Sequence, residues 1–448
     1  MQKRENFASQ FGLIMAAVGS AVGLGNIWRF SYIVGINGGG AFLVVYLLCV
    51  VLVGLPVLIA ELTIGRSSGL SSVSAFQKLA PRSFWWIVGV MGVLAATTIG
   101  CYYPTVAGWS LGYVFESMFD WNALVGDTGA AFTEFSAGWK AIVFAAAALA
   151  VTVVVLLRGV TAGIERCSKL LMPMLGVIMV VLVVRSLTLP GAMEGVRFLF
   201  APDFTKLTVG GFLDALGHSF YSLSLGMGVM ITYSSYMKKD TDLPSATVSI
   251  VTMDTAIAIL AGLAIFPAVF AMGLDPGEGA GLAFVTLPAA FASMPFGQIF
   301  SILFFLLVFI AALTSLISIL QVPLALLEDR FHFSVKKGLA VVSAVVIVFG
   351  VPSVLSFGPL AGFTILGMDY FTLMDRLAND IFLPVAGLLG ILFILFSFGV
   401  AASKREFLTG SKRESHFLAT IYPFAIRFIA PAAIIVILLR AALSFAQG

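Results

Sequence analysis

The residues of this chain that could do chemistry sit inside sequence that is otherwise close to hydrocarbon. Gly19 to Phe30 reads Gly-Ser-Ala-Val-Gly-Leu-Gly-Asn-Ile-Trp-Arg-Phe and falls within the first long apolar run. Gly217 to Met230 carries Ser222, Ser224, Gly226 and Gly228 in the middle of a later run. Asp254 stands alone in Val-Thr-Met-Asp-Thr-Ala, and Thr314-Ser315 is a hydroxyl pair in a further apolar stretch. A lone carboxylate in a membrane span is a functional candidate by default. Together these groups offer coordination and hydrogen bonding. Oxygen ligands suit a hard cation, and free backbone N–H groups suit an anion. The sequence has no zinc-type His/Glu cluster and no nucleophile with a positioned base, so an enzyme is not expected.

The elements that must hold these groups follow from composition. Of 448 residues, 60% are apolar and 10% charged, with a mean hydropathy of +1.07, whereas about a quarter of residues in soluble domains are charged. The expected fold class is an all-α polytopic membrane protein. About eleven segments are long enough to cross, each needing roughly 20 residues. They lie near 11–34, 41–65, 84–117, 139–157, 165–186, 210–236, 243–273, 296–328, 336–356, 378–400 and 418–444. The polar start, Met1 to Gln10, leads straight into a span longer than a signal-peptide core. Cys49, Cys101 and Cys167 have neither metal-ligand spacing nor a disulfide pattern and read as packing residues.

Charge is distributed by side. With the N-terminus inside, one side collects Lys3, Arg4, Arg66, Lys238, Lys239, Lys336, Lys337, Lys404 and Arg405, among others, while the other holds only Lys140, Arg185, Arg197, Lys206, Arg376 and Arg440. That bias gives a cytoplasmic N-terminus in a plasma (inner) membrane, and an odd number of spans puts the C-terminus outside. The outer connection from Asp275 to Gly297 is too apolar to be solvated. It is expected to fold back as two short helices, a candidate lid.

A span should not carry Gly23, Gly25, Asn26 and Arg29 in its outer half. Each glycine costs a helix about 1 kcal/mol against alanine, and an intramembrane arginine is costly unless it faces protein or water. The first span is therefore expected to unwind near its middle, which is tolerated only where the freed backbone is buried in protein or lines a cavity. The second interruption falls in the sixth span. First and sixth are equivalent points of two five-span halves, 11–186 and 210–400, with an extra helix at 418–444, all within one transporter domain, 1–448. Paired interruptions of this kind point to a transporter site at an inverted-repeat interface. Small residues in a single span would more simply mean close helix packing.

At these residues the chain resembles the neurotransmitter:sodium symporter family, in its bacterial amino-acid transporter branch with the leucine-transporter fold. The resemblance is carried by Gly23-Leu24-Gly25-Asn26-Ile27-Trp28-Arg29-Phe30, Asn37-Gly38-Gly39-Gly40-Ala41-Phe42, Ser222-Leu223-Ser224-Leu225-Gly226, and Thr314-Ser315 ahead of Gln321. It implies sodium-coupled symport of an amino acid by alternating access. It also implies two sodium sites: one from the Ala21 carbonyl, Asn26, Ser222, Asp254 and the substrate carboxylate, the other from the carbonyls of Gly19, Val22 and Ala311 with Thr314 and Ser315. Alone, the hydroxyls of Thr314 and Ser315 would more simply bond back to their own helix.

Asp254 departs from the family pattern. Animal relatives place asparagine there and need chloride, and the leucine transporter has a glutamate one turn later, where this chain has Ala258. A carboxylate can neutralise bound sodium directly, so no chloride is expected. Amine-transporting relatives carry an aspartate where this chain has Gly23. The substrate should thus bring its own carboxylate, met by N–H groups around Leu24 and Gly25 and by Tyr103, with its amino group on carbonyls of Ala21 and Tyr221 to Ser224. The resemblance gives a lining of Ile99, Tyr103, Tyr221, Ser222, Ser224, Met227, Ser315, Ser318 and Ile319, which suits a hydrophobic or aromatic side chain. Arg29 with Asp375 is the implied outer gate, and Arg4 with Asp329, beside Tyr236 and Ser235, the inner one. His218 near Arg29 is expected to be a neutral hydrogen-bonding residue. Gly163 and Pro173 should loosen the cytoplasmic start of the fifth span. Glu61 has no obvious partner except Arg66 and reads as structural. A sodium-gated channel or a substrate sensor of the same fold is the alternative.

Overall fold

The computed structural model describes residues 5–276, 279–411 and 417–447. Among these, nine helices are long and apolar enough to cross a membrane, and a tenth crossing is the bent pair Gln10–Ala21 and Gly25–Ile36, angled by 51°. The sixth expected segment is present as two shorter helices, Val209–Ser222 and Val229–Ser234. Taken as one interrupted crossing, it completes the order of the eleven expected segments.

Both interruptions have local causes. The first helix starts on Ser9, whose side chain accepts the Gly12 N–H, and stops at Val22, which is extended (φ −75°, ψ 90°). The chain resumes as a wide turn over Gly25–Arg29 before the α-helix Phe30–Ile36. In the sixth span Ser224, Gly226 and Gly228 all have positive φ, at 54°, 77° and 72°. Glycine enters that region freely, whereas Ser224 is held there against its own preference.

The eighth span, Gly297–Phe331, is the most enclosed, with 78% of its most apolar stretch buried, and the second, Gly40–Ser68, follows at 67%. The fourth, Trp139–Leu156, and the last, Phe417–Leu443, fall to 33% and 28% and form the lipid-facing rim. Lipid tails are as apolar as leucine, so helices associate here through close packing of small residues. A methyl on Gly108 of the third span, Trp86–Phe119, would run into the Ala145 backbone of the fourth.

The connection after Ala271 contains the short turn Gly279–Leu282 and the helix Thr286–Ala292, as expected of a folded-back pair. Phe284 between them is buried, with Trp28, Trp109, Tyr113, Phe132 and Phe305 within 5.3–6.4 Å between ring centroids. The fifth span begins with a wide turn, Val160–Glu165, and continues helical through Pro173 to Leu187.

Candidate functional site

The two interruptions face each other across the protein interior, and a polar cluster joins them. Asn26, in the wide turn of the first span, donates through Nδ2 to Asp254 Oδ1 at 2.8 Å, to the Asp254 carbonyl at 3.1 Å and to Ser222 Oγ at 3.2 Å. Its Oδ1 accepts the Gly23 N–H at 3.4 Å. Ser222, at the end of the first half of the sixth span, donates to Asp254 Oδ2 at 2.7 Å. Asn26 and Asp254 are fully buried. The structure therefore brings Asn26, Ser222 and Asp254 together, with Ala21 on the adjacent cavity wall. Tyr46 belongs to the same cluster, its hydroxyl 3.3 Å from Ser222 Oγ. A hydroxyl in the second span opposite the two interruptions was its only sequence signal.

A second oxygen cluster lies between the first and eighth spans. Ser315 Oγ donates across to the carbonyls of Gly19 at 3.3 Å and Ser20 at 3.1 Å. Thr314 Oγ1 bonds back to Ile310 and Ala311 at 3.0 and 3.1 Å. Thus Thr314 shows the helix-internal bond, while Ser315 reaches the neighbouring span. A Cβ on Gly19 would lie 3.2 Å from Thr314 Cβ, so the two backbones are in close approach. Val22 follows at the point where the helix stops. Among the described residues no three His, Cys, Asp or Glu side chains converge as metal ligands. A cation at this second cluster would be held by carbonyls and hydroxyls, whereas the first cluster also offers the carboxyl group of Asp254.

Between the clusters is a cavity of about 20 Å³ lined by Ser20, Ala21, Gly23, Gly25, Ile99, Tyr103, Tyr221, Ser224, Met227, Ser315 and Ile319. Of the expected lining, Leu24, Ser222 and Ser318 stand behind the wall. The Leu24 N–H donates to Tyr103 OH at 3.1 Å, Ser222 is engaged by Asp254, and Ser318 Oγ donates to Ser20 Oγ at 2.7 Å. Ser20 was not anticipated from the sequence. Its hydroxyl accepts from Ser318 and donates to Ser224 Oγ at 3.3 Å, while Ser224 donates to the Ser20 carbonyl at 3.0 Å. It thereby ties the first, sixth and eighth spans at one point. Gly23 has no room for a side chain, since a Cβ would lie 2.5 Å from Ser315 Oγ and 2.7 Å from Tyr103 OH.

Towards the outer side, a cavity of about 250 Å³ is walled by Arg29, His218, Tyr221, Arg376, Asp380 and Arg440, among others. Tyr221 lines both cavities and so separates them. The Arg29 guanidinium sits 5.0 Å from the Tyr221 ring centre, a cation–π contact. No ion pair joins Arg29 to Asp375 among the described residues. Asp375 instead accepts from Asn379 Nδ2 at 2.7 Å, and Arg376 pairs with Asp380 at 3.2 Å. His218, expected to hydrogen-bond, is instead buried with neither ring nitrogen bonded to protein, because its ring is packed between Phe30 and Tyr46.

On the inner side, Arg4 lies outside the described residues. Asp329 accepts the Ser71 N–H at 2.7 Å. Tyr236 OH accepts from Gln321 at 2.9 Å, its carbonyl accepts the Phe7 N–H at 3.1 Å, and Ser235 bonds back to the Thr232 carbonyl. Glu61, read from the sequence as structural with Arg66 its only obvious partner, accepts the Gly226 N–H at 2.7 Å inside the sixth-span interruption. Arg66 turns away from it to Glu406 at 2.7 Å.

The chain aligns with known proteins over almost its whole length. It is 39% identical over 447 residues to the "Uncharacterized sodium-dependent transporter YhdH" of Bacillus subtilis, covering 98% of each chain. It is 25% identical over 479 residues to the "Sodium- and chloride-dependent GABA transporter ine" of Drosophila melanogaster, covering 94% of this chain and 49% of that one. A crystal structure of MhsT in complex with L-phenylalanine superposes with a TM-score of 0.91 at 44% identity, covering 98% of this chain and all of that one. Residues 4–126 and 136–447 match the model of the sodium:neurotransmitter symporter family, and with two interrupted spans meeting at a buried polar site the chain belongs to that family.

Proposed function

We propose that the protein carries a neutral amino acid with a hydrophobic or aromatic side chain into the cell by symport with sodium, through alternating access and without chloride. The observation that carries this reading is the meeting of Asn26, Ser222 and Asp254 from three spans beside the small cavity. Sodium at that cluster would take the Ala21 carbonyl, Asn26, Ser222 and Asp254, and the substrate carboxylate would complete it. A second sodium would take the carbonyls of Gly19, Val22 and Ala311 with the hydroxyls of Thr314 and Ser315. Sodium and substrate that share ligands raise each other's affinity reciprocally.

The substrate class rests on the cavity. Gly23 leaves no place for an acidic side chain that would hold an amine. Ile99, Met227 and Ile319 give apolar walls, and methionine adapts to varied side chains. MhsT, 44% identical, was crystallised with L-phenylalanine, which supports the same class here. Chloride independence rests on Asp254, whose carboxylate supplies in the protein the negative charge that an anion would otherwise bring. The N-terminus is cytoplasmic and the C-terminus outside, on the charge bias of the connections. The interruptions of the first and sixth spans support repeats at 11–186 and 210–400 with the last helix outside them.

A binding screen of purified protein against the common amino acids tests this reading, run in sodium chloride, sodium gluconate and choline chloride. Binding of phenylalanine or a similar residue in both sodium salts, and its loss in choline, is expected. Binding that collapses in gluconate would overturn chloride independence, and binding of equal strength in choline would overturn sodium coupling.

A further inference from the structure

The cytoplasmic ends of the first and fifth spans hold each other by two crossed carboxylates that the binding site does not use. Glu165, 1% exposed in the first turn of the fifth span, accepts the Ala8 N–H at 2.7 Å and the hydroxyl of Ser9, the cap of the first span, at 2.9 Å. Lys169, one turn on, donates to the same carboxylate at 2.5 Å. In the other direction, Glu5 accepts the Val160 N–H at 2.6 Å at the start of the fifth span, and Thr161 Oγ1 donates to the Asn6 carbonyl at 2.9 Å. Each carboxylate therefore covers the N-terminal end of the other's helix, where unpaired N–H groups and the helix dipole favour negative charge.

Two glycines make room for the pair. A Cβ on Gly12 would run into the Glu165 carboxylate, and one on Gly159 would lie 2.7 Å from Glu5 Oε2. Phe7, between the two caps, stands edge-on to Tyr233 and Tyr236 of the sixth span at 5.9 and 6.2 Å. Residues 5–9 are thus a strap across three spans. Two turns above Glu165, Met172 lies against Gly19, 3.2 Å from where its Cβ would be. The strapped interface therefore runs up to one of the carbonyls assigned above to the second sodium.

We infer that Glu165 and Glu5 are positioning residues for the inner gate: their crossed caps hold the inner half of the first span against the fifth, and opening to the cytoplasm requires both to release. Hydrogen bonds to ionised acceptors are roughly twice as strong as neutral ones, but on release water can replace each of these at the cytoplasmic surface. The latch is firm and reversible for that reason. The inference rests on the alternating-access reading and adds a closing element that needs neither Arg4 nor Asp329.

The test uses the full-length protein with Cys49, Cys101 and Cys167 replaced by alanine and a reporter, Ser235→Cys, beside Tyr236 at the inner side. Labelling by a maleimide is timed without sodium, with sodium, and with sodium plus L-phenylalanine. The latch predicts that Glu165→Gln speeds labelling in sodium-free buffer by about fivefold or more. Glu5→Gln should do so by at least threefold, and in both variants the sodium concentration that half-suppresses labelling should rise. Rates within twofold of the parent for both variants would overturn it. So would fast labelling that sodium fails to slow in a variant while slowing it in the parent, because that reports local unfolding rather than a shifted gate. If Glu165→Gln does not fold, Glu5→Gln decides alone, since Glu5 is exposed. Labelling of the parent that ignores sodium would count against the transport reading, and the ratio of variant to parent would still decide the latch.

Discussion

In the proposed sodium site, Asp254 is the residue on which the chemistry turns. It accepts from Asn26 and Ser222, so its carboxyl group is held where both interruptions meet. Replacing it with asparagine keeps the shape and removes the charge. Hydrogen bonds to charged groups contribute about 1.5–3 kcal/mol each, so Asp254→Asn should weaken sodium-dependent binding by roughly 10- to 100-fold. Titration of sodium at fixed substrate checks this, and an unchanged midpoint would remove Asp254 from the cation site. Gly23→Ala places a methyl against Ser315 and Tyr103. It should raise the KM for substrate about tenfold or more while the protein still inserts and purifies. Ser20 shows what a sequence does not reveal at this scale. Its neighbours Gly19 and Ala21 are marked by the family resemblance, but its own hydroxyl matters only because Ser224 and Ser318, some 200 and 300 residues away, arrive beside it.

At the scale of elements, the sixth-span interruption is held open by its neighbours as much as by its own glycines. Gly226 is at φ 77°, a Cβ there would strike the Leu383 carbonyl, and its N–H is taken by Glu61. Gly226→Ala should abolish binding, whereas Gly217→Ala, where nothing lies within 4 Å of the new methyl, should leave it within about twofold. Parallel binding curves check the pair. The interruptions were legible from Gly, Asn and Ser in apolar runs, because those residues are costly in a helix wherever it lies. Glu61 is structural as expected, but its partner could not be read, because it is a backbone N–H freed by the break, which no side-chain pattern signals. The same limit hid the fate of Arg66. It is buried and bonded to Glu406 and to the carbonyls of Thr241 and Thr409, so it clamps the helix Val400–Leu408 to the second span.

That clamp has a pH signature. Burial alone would raise the Glu406 carboxyl, but hydrogen bonds from Lys239 and Arg66 outweigh it and hold it below its usual value. A carboxyl with a lowered folded value stabilises the protein above the unfolded value, about 4.3, and loses that contribution as pH falls through the folded value. Glu406→Gln should therefore cost about 1–2 kcal/mol at pH 7, seen as a lower melting temperature. The gap between variant and parent should narrow as pH falls below the unfolded value and close once it has passed the folded one. A gap that persists there would assign the effect to packing instead of charge.

For the whole molecule, the crossings and their order could be read from hydropathy, because each span must satisfy its own backbone in lipid. Which spans lie inside the bundle could not. The second and eighth are, if anything, more apolar than the rim, yet are the most buried. Burial in a membrane follows packing and not polarity. The outer gate is the clearest revision at this scale: Arg29 rests on Tyr221 with no ion pair to Asp375 among the described residues, and Tyr221 separates the large outer cavity from the small inner one, so an aromatic wall stands where an ion pair was expected. The central claim is that sodium and substrate move together through this site. Uptake of L-phenylalanine by proteoliposomes under an inward sodium gradient, with gluconate as the only anion, measures it directly. Accumulation above the outside concentration that collapses when the gradient is dissipated is the predicted result. Equilibration without accumulation, or binding with no uptake at all, would contradict it.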